Sequence, residues 1–155
     1  MISLKRILLV EDSPRDTEMA LDALASYNLG NEVIALRDGS EALDYLYRRG
    51  AFVSRPEGHP AVVLLDLKMP KVDGTEVLRQ MKSDPVLKLI PVVVMTSSRE
   101  DQDLLNSYNL GVNAYVVKPV NFHAFVEAVK QVGGFWAVLN EPPPGCVRPV
   151  KNSGI

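Results

Sequence analysis

The sequence lacks the features of secreted, zinc-binding and membrane-spanning proteins. Its single cysteine, Cys146, excludes an internal disulfide and a cysteine-based zinc site. Its first apolar run, Ile7–Val10, is far too short for the core of a signal peptide or for a membrane span. The net charge is only −2 at pH 7, so no excess of basic residues indicates a nucleic-acid or lipid surface as partner. These absences predict a cytoplasmic protein that binds neither nucleic acid nor membrane.

Short apolar runs recur along the chain. With 155 residues, 46% of them hydrophobic and 23% charged, the chain has the size and composition of one globular domain. The runs are rich in Val, Ile and Leu and do not alternate with polar residues, which is typical of parallel strands buried on both faces. The five runs are Ile7–Val10, Val33–Leu36, Ala61–Leu65, Val92–Met95 and Tyr115–Val117.

A segment with the apolar period of a helix follows each run. Ser13-Pro14 predicts the start of the first helix, and Gly50 predicts the end of the second. The alternation of strand and helix predicts an α/β fold, a doubly wound five-stranded parallel sheet of order 2-1-3-4-5 with helices on both faces. The predicted helices span 14–27, 40–49, 75–82, 99–110 and 121–132.

Two segments lie outside this alternation. Residues 48–60 form a loop that is longer than such units usually need, and it enters the third strand at its amino end. Residues 140–155 are rich in proline and predict an extended tail. The segment 133–139 either follows the last helix or extends it. The predicted organisation is therefore one domain over 1–139 and a tail over 140–155.

Polar residues stand where four of the five strands end. Because strands 1 and 3 are neighbours whose connections leave in opposite directions, a crevice opens at their carboxyl ends. Carboxylates this close repel one another unless a cation is present, and oxygen ligands without histidine or cysteine suit Mg²⁺. A lysine and a hydroxyl across the crevice suit an anion such as a phosphoryl group. The residues are Glu11, Asp12, Asp66, Thr96 and Lys118.

The motifs around these residues resemble those of a known family. Glu11-Asp12 lies in "LLVEDS", Asp66 in "LLDLKMPKVDG", Thr96 in "VVVMTSS" and Lys118-Pro119 in "AYVVKPV". Over about residues 4–132, the chain resembles the receiver domain of two-component response regulators, of the chemotaxis CheY type. The resemblance implies a flavodoxin-like fold and a phosphorelay function.

The resemblance also implies a chemical role for each residue of the acidic crevice. Asp66 would be the phosphoacceptor that attacks the phosphohistidine of a sensor kinase. Mg²⁺ or Mn²⁺ would be held by Glu11, Asp12, Asp66 and the backbone carbonyl of Lys68. Lys118 would pair with Asp66 at rest and with a phosphoryl oxygen afterwards. The Lys68 side chain stands two residues past the acceptor, where this family tunes the lifetime of the phosphoryl group.

Further roles implied by the resemblance concern the switch that reports phosphorylation. Thr96 would turn toward the phosphoryl group, and Tyr115 would move inward as Thr96 leaves its place. The peptide bond before Pro119 would be cis, which only an X-Pro bond allows at low cost. The switched surface would be formed by the segments 99–110, 115–117 and 121–132.

The chain is identified as a single-domain member of the family, because too few residues follow 132 for an output domain. It would receive its phosphoryl group from a sensor histidine kinase, with a bacterial phytochrome or a hybrid kinase as the expected source. It would act on a downstream protein or pass the group to a phosphotransfer protein, without turnover as an enzyme. A homodimer through the switched surface, with Phe135 and Trp136 buried against a partner, is also expected.

Three other functions remain as alternatives. A phosphatase of the haloacid dehalogenase type needs a second aspartate two residues after its nucleophile, where this chain has Lys68. A flavodoxin-like FMN-binding protein needs a Ser/Thr/Gly-rich loop after its first strand, where Glu11-Asp12 would repel the phosphate. A receiver used only for docking, without phosphorylation, would not need the complete set of acids and lysine.

Overall fold

The sheet has the predicted strands in the predicted order. The computed structural model describes residues 6–25, 33–67, 69, 72–96, 114–118 and 122–131. Within them, five parallel strands pair in the order β2-β1-β3-β4-β5, so the expected fold class and topology are confirmed. The strands are β1 (Ile7–Val10), β2 (Val33–Leu36), β3 (Val62–Asp66), β4 (Val92–Thr96) and β5 (Tyr115–Val117).

Helices cover both faces of this sheet. They are α1 (Pro14–Ala25), α2 (Gly39–Tyr47), α3 (Gly74–Ser83) and α4 (Phe122–Gln131), with 3-10 turns at Gly50–Phe52 and Leu87–Leu89. The helix predicted over 99–110 and the tail predicted over 140–155 lie outside the described residues. No helix in the part of the chain that the structure describes is long and apolar enough to cross a bilayer.

The strands are buried on both faces because their residues alternate between two apolar cores. Leu8 and Val10 of β1 belong to the core beneath α2 and α3. Ile7 and Leu9 belong to the core beneath α1 and α4, and all four side chains are at most 1% exposed. The uninterrupted apolar runs of the sequence are the direct result of this two-sided burial.

The helix ends follow the sequence signals in part. Asp38 and Asp73 accept hydrogen bonds from backbone N–H groups three residues on, at Glu41 (2.9 Å) and Glu76 (3.0 Å), as in a capping box. The prediction that Gly50 ends the second helix is wrong. Arg48 takes the left-handed conformation instead, with φ 53°, and its N–H bonds back to carbonyls of α2.

The loop over 48–60 is tied to the amino edge of the sheet by two arginines. Arg6 is 7% exposed and donates to the Tyr45 hydroxyl at 2.8 Å, and to the carbonyls of Glu57 and Gly58 at 3.1 Å each. Arg55 donates to the Tyr45 carbonyl at 2.7 Å, and its guanidinium lies 4.2 Å from the centroid of the Tyr45 ring. The loop therefore lies at the edge opposite the acidic residues, as the sequence predicts.

Candidate functional site

The acidic crevice lies at the carboxyl edge of the sheet. Glu11 directly follows β1, and its N–H continues the ladder to β2 by bonding the Leu36 carbonyl at 3.0 Å. Asp66 is the last residue of β3, and Thr96 is the last residue of β4. Lys118 directly follows β5 and donates its N–H to the Thr96 carbonyl at 3.0 Å. Four neighbouring strands thus carry one side chain each to the same edge.

Three carboxylates meet in this crevice. Oxygen atoms of Glu11, Asp12 and Asp66 all lie within 4.8 Å of one another. Glu11 is 1% exposed and Asp66 is 5% exposed, whereas Asp12 faces solvent. The cluster is therefore anchored in the protein on one side and open to water on the other, as a site for a ligand from solution must be.

Lys118 brings a positive charge into the cluster. Its Nζ lies 2.7 Å from Glu11 Oε1 and 3.3 Å from Asp66 Oδ2. Burial alone would lower the pKa of the ammonium, but the contact with Glu11 and the charge of Asp66 outweigh burial and raise that pKa. The lysine is consequently a fixed cation beside the Asp66 carboxylate.

Glu11 is held in place by the turn into α1. The Ser13 N–H donates to Glu11 Oε2 at 3.0 Å, and the Thr17 hydroxyl reaches the Glu11 carbonyl at 3.4 Å. Ser13 also accepts the Asp16 N–H at 3.2 Å through its hydroxyl, which is the helix cap predicted at Ser13-Pro14. The same short turn therefore starts α1 and orients the buried carboxylate.

The electrostatics of Glu11 indicate that the cluster has too little positive charge. Burial raises the pKa of its carboxyl to about 7, in spite of the opposing effects of Lys118 and the Ser13 N–H. Glu11 Oε1 is buried, and the cation that contacts it among the described residues is the Lys118 ammonium at 2.7 Å, which Asp66 and Asp16 share. Oxygen-only ligands with this charge deficit fit a hard divalent cation such as Mg²⁺.

Asp16 is a contact of the lysine that the sequence does not predict. Its Oδ2 lies 3.3 Å from Lys118 Nζ, the same distance as the Asp66 contact. The two residues are 102 positions apart, and in the sequence Asp16 reads only as an acidic residue of a first helical turn. Its proximity depends on how α1 and β5 are placed beside each other, which no local pattern reveals.

Gly74 is a second feature that sequence reasoning missed. Its N–H bonds the Leu67 carbonyl at 2.9 Å, and a Cβ at this position would contact the Asp66 carbonyl oxygen and lie 2.7 Å from Leu67 Cα. A side chain here would collide with the backbone that carries Asp66. Glycine is therefore needed for α3 to begin this close to the end of β3.

The two residues expected to form the switch differ in exposure. Thr96 is 1% exposed, and Tyr115 is half-buried against the core beneath α2 and α3. Tyr115 pairs with Val94, and Thr96 is two residues further along β4, so their side chains share one face of the sheet. Two other expected site residues, Lys68 and Pro119, lie outside the described residues.

The comparisons with known proteins agree with this geometry. The family model for the response regulator receiver domain matches residues 7–130. The chain belongs to this family. Receiver domains of two-component systems accept a phosphoryl group on an aspartate and bind Mg²⁺ or Mn²⁺ at an acidic pocket of this kind. The family assignment favours the receiver function over the phosphatase and FMN-binding alternatives, which require different residues at the same strand ends.

The similar proteins are response regulators of comparable length. The chain is 42% identical over 132 residues to "Response regulator Rcp1" of Synechocystis sp., covering 85% of this chain and 88% of that protein. The solved structure of the bacteriophytochrome response regulator AtBRR is 60% identical, with a TM-score of 0.85, and covers 90% of this chain and 100% of its own.

A second similar structure is that of a phosphorylated protein. The phosphorylated cyanobacterial phytochrome response regulator RcpA is 42% identical with a TM-score of 0.69, covering 86% of this chain and 94% of its own. Rcp1 itself has been solved in a Mn²⁺-bound form, which is 38% identical with a TM-score of 0.68 over 94% of this chain and 99% of its own. Both of these proteins are response regulators that match most of this chain and most of their own length.

Proposed function

We propose that this chain is a phosphorylatable single-domain regulator in which Asp66 accepts the phosphoryl group of a sensor histidine kinase. The observation that carries the proposal is the position of Asp66, at the end of β3 within 3.3 Å of the Lys118 ammonium and inside a carboxylate cluster. A carboxylate is a poor nucleophile toward an anionic donor unless charge is neutralised. Lys118 supplies one positive charge beside Asp66, and a bound divalent cation would supply the rest.

The transfer step follows from these contacts. An Asp66 carboxylate oxygen attacks phosphorus, and the P–O bond forms as the P–N bond of the phosphohistidine breaks. The imidazole leaves as a neutral ring, because its other ring nitrogen already carries a proton in the phosphohistidine. Lys118 then contacts a phosphoryl oxygen in place of the carboxylate. Glu11, Asp12, Asp66 and the Lys68 carbonyl would hold Mg²⁺ or Mn²⁺, which would supply further charge neutralisation when bound.

The switch in this proposal consists of Thr96 and Tyr115. The shared sheet face of the two side chains and the half-buried position of Tyr115 support a coupled movement. A cis bond before Pro119 would shape the turn after Lys118. The acyl phosphate is hydrolysed by water, so the chain would act as a timed signal and not as a turnover enzyme.

The partners are proposed from the similar proteins. The identity of 60% to a bacteriophytochrome response regulator supports a bacteriophytochrome or a related hybrid kinase as phosphoryl donor. The downstream partner would be a protein target or a phosphotransfer protein, and the cytoplasmic location expected from the sequence stays a prediction. Phosphotransfer from a purified bacteriophytochrome kinase, compared with an unrelated sensor kinase, tests the choice of donor.

A homodimer is the remaining part of the proposal. β5 is the edge strand of the described sheet, and Val117 on this strand is 61% exposed. An exposed apolar residue on an edge strand supports burial in an interface formed with the segments 99–110 and 121–132 and with Phe135 and Trp136. Sedimentation of wild type and Val117→Lys tests this, because the charge should shift the protein toward monomer.

A chain cut after 139 should keep the domain and lose only the tail.

The central experiment is incubation with acetyl phosphate and Mg²⁺, followed by intact mass. Wild type should gain one phosphoryl group, and Asp66→Asn should gain none because an amide is not a competent nucleophile. Asp12→Asn should be slowed, since it removes a metal ligand but leaves the acceptor. A wild-type protein that stays unmodified by acetyl phosphate and by kinases would overturn the proposal.

A further inference from the structure

The Lys118 ammonium is shared by two aspartates that lie on different elements. Its Nζ is 3.3 Å from Asp66 Oδ2 at the end of β3 and 3.3 Å from Asp16 Oδ2 in the first turn of α1. Both contacts are additional to the shorter one with Glu11 at 2.7 Å. The lysine that must serve Asp66 thus has a second aspartate that competes for it.

Asp16 is neither a metal ligand nor the phosphoacceptor in the proposed function. Among the described residues, the carboxylates that are close enough together to hold a metal ion are Glu11, Asp12 and Asp66, and Asp16 is not one of them. The Asp16 side chain is 34% exposed, and a partly exposed ion pair adds little to the free energy of folding. Its ordering contact with Ser13 uses the backbone N–H and leaves the carboxylate to the lysine.

The consequence appears when a phosphoryl group arrives. A phosphoryl group on Asp66 would lie near the carboxylate of Asp16, because both aspartates contact the same ammonium, and like charges repel. The ammonium must also turn toward the new phosphoryl oxygens, while Asp16 continues to attract it from the α1 side. Both effects act in the same direction, against the phosphorylated state.

We propose that Asp16 is a positioning residue that restrains Lys118 in the resting state and thereby slows phosphorylation of Asp66. This inference rests on the proposed function, since it presumes that Asp66 is the phosphoacceptor. It assigns a rate-setting role to a residue of α1 that belongs neither to the three carboxylates of the metal site nor to the switch.

The test measures the initial rate of phosphoryl gain from acetyl phosphate with saturating Mg²⁺, by intact mass. Asp16→Asn should react about threefold faster, the scale of removing one unit charge at roughly 6 Å in a solvent-like dielectric. Asp16→Glu, which keeps the charge, should stay near the wild-type rate. The gain in Asp16→Asn should shrink strongly at about 1 M salt, where charges are screened within roughly 3 Å.

The matched control is Glu18→Gln, which removes an exposed charge from the same helix. Its rate should stay close to wild type because the charge lies away from Lys118. A rate for Asp16→Asn equal to or below wild type, an equal gain in Glu18→Gln, or a gain that high salt leaves intact would overturn the inference. Thermal unfolding checks each variant, and Asp16→Ser replaces Asp16→Asn if the amide variant does not fold.

Failure of this inference is distinguishable from failure of the proposed function. If wild type takes up no phosphoryl group, the role of Asp66 is wrong and that of Asp16 falls with it. If wild type and Asp16→Asn are phosphorylated at equal rates, Asp66 keeps its role and Asp16 alone loses the one proposed.

Discussion

The two edges of the sheet both bury charge, but they satisfy it differently. At the amino edge, the Arg6 guanidinium is 7% exposed and donates to one hydroxyl and two carbonyls. At the carboxyl edge, the Glu11 carboxylate is 1% exposed, and burial raises its pKa to about 7. At the amino edge, Arg6 therefore has neutral acceptors for three hydrogen bonds, although Arg55 Nη2 there is buried without a hydrogen-bond partner among the described residues. At the carboxyl edge, the excess of carboxylates favours a further cation.

This difference separates stability from function within one small domain. Neutral oxygens accept the hydrogen bonds of Arg6, the charged Arg55 shares the Gly58 carbonyl with it, and within the described residues no carboxylate lies at salt-bridge distance from Arg6. Carboxylates surround Lys118, and their mutual repulsion is not fully offset by one ammonium. We expect substitutions at the amino edge to change folding, and substitutions at the carboxyl edge to change phosphorylation and metal dependence.

The largest expected effect is on stability at the amino edge. Arg6→Ala should lower the free energy of unfolding by about 3 kcal/mol, because it leaves the Tyr45 hydroxyl and the Glu57 carbonyl without this donor and removes one of the two donors to the Gly58 carbonyl. Urea unfolding measures the loss. Arg49→Ala removes an exposed ion pair with Asp44 and should cost less than about 1 kcal/mol. Equal losses in the two variants would contradict the structural role given to Arg6.

The next effect is the pH dependence of stability at the carboxyl edge. The Glu11 pKa is raised from 4.5 to about 7, so the folded state binds more protons than the unfolded state between these values. Without divalent cations, the free energy of unfolding should therefore fall by about 2 kcal/mol as the pH rises from about 5 to about 7.

Two variants isolate this dependence, measured by urea unfolding in the presence of a chelator. Glu11→Gln should flatten the pH profile, whereas Glu18→Gln should keep the wild-type slope. Saturating Mg²⁺ should oppose the fall in wild type, because metal binding favours the ionised carboxylate. A profile that is the same in wild type and Glu11→Gln would show that burial of Glu11 does not govern it.

A smaller effect is expected where α3 begins beside Asp66. Gly74→Ala should destabilise the fold by about 1 to 2 kcal/mol, because a Cβ would contact the Asp66 carbonyl oxygen and force the backbone apart. The rate of phosphorylation should fall as well, since that backbone carries the acceptor. Thr75→Ala, one position further along α3, serves as the control. Wild-type stability and rate in Gly74→Ala would contradict this account.

The smallest effect concerns the lifetime of the phosphoryl group. Lys68→Ala should change the rate of autodephosphorylation by about threefold, the effect of one unit charge near the phosphoryl group in water. Intact mass over time, after removal of the donor, measures the decay. Lys88→Ala, on an exposed turn between α3 and β4, should decay like wild type. An unchanged decay in Lys68→Ala would count against a role for that side chain.

The strand pattern made the sheet and the meeting of the carboxylates predictable. Two-sided burial requires an uninterrupted apolar run, which identifies the strands. The carboxyl ends of parallel strands lie along one edge of the sheet, so the proximity of Glu11, Asp66 and Lys118 could be predicted from the sequence. The contact between Lys118 and Asp16 could not be predicted, because it joins residues 102 positions apart through the placement of α1.

The amino edge was harder to predict for the same reason. Arg6 and Tyr45 are 39 positions apart, and neither belongs to a motif. The left-handed Arg48 was missed because glycine is the usual residue there, yet backbone hydrogen bonds to α2 and a contact from Arg48 to the Arg55 carbonyl hold the arginine in that conformation. Local signals identify the elements, whereas distant contacts decide how loops are held to them.

The measurement that tests the central claim most directly locates the phosphoryl group. After reaction with acetyl phosphate and Mg²⁺, borohydride reduces an acyl phosphate to an alcohol, so the modified aspartate becomes homoserine. Fragment mass spectrometry then identifies the position. The account predicts homoserine at position 66 in wild type and at no aspartate in Asp66→Asn. Homoserine at position 12 or 16, or its absence from a protein that has gained phosphoryl mass, would contradict the account.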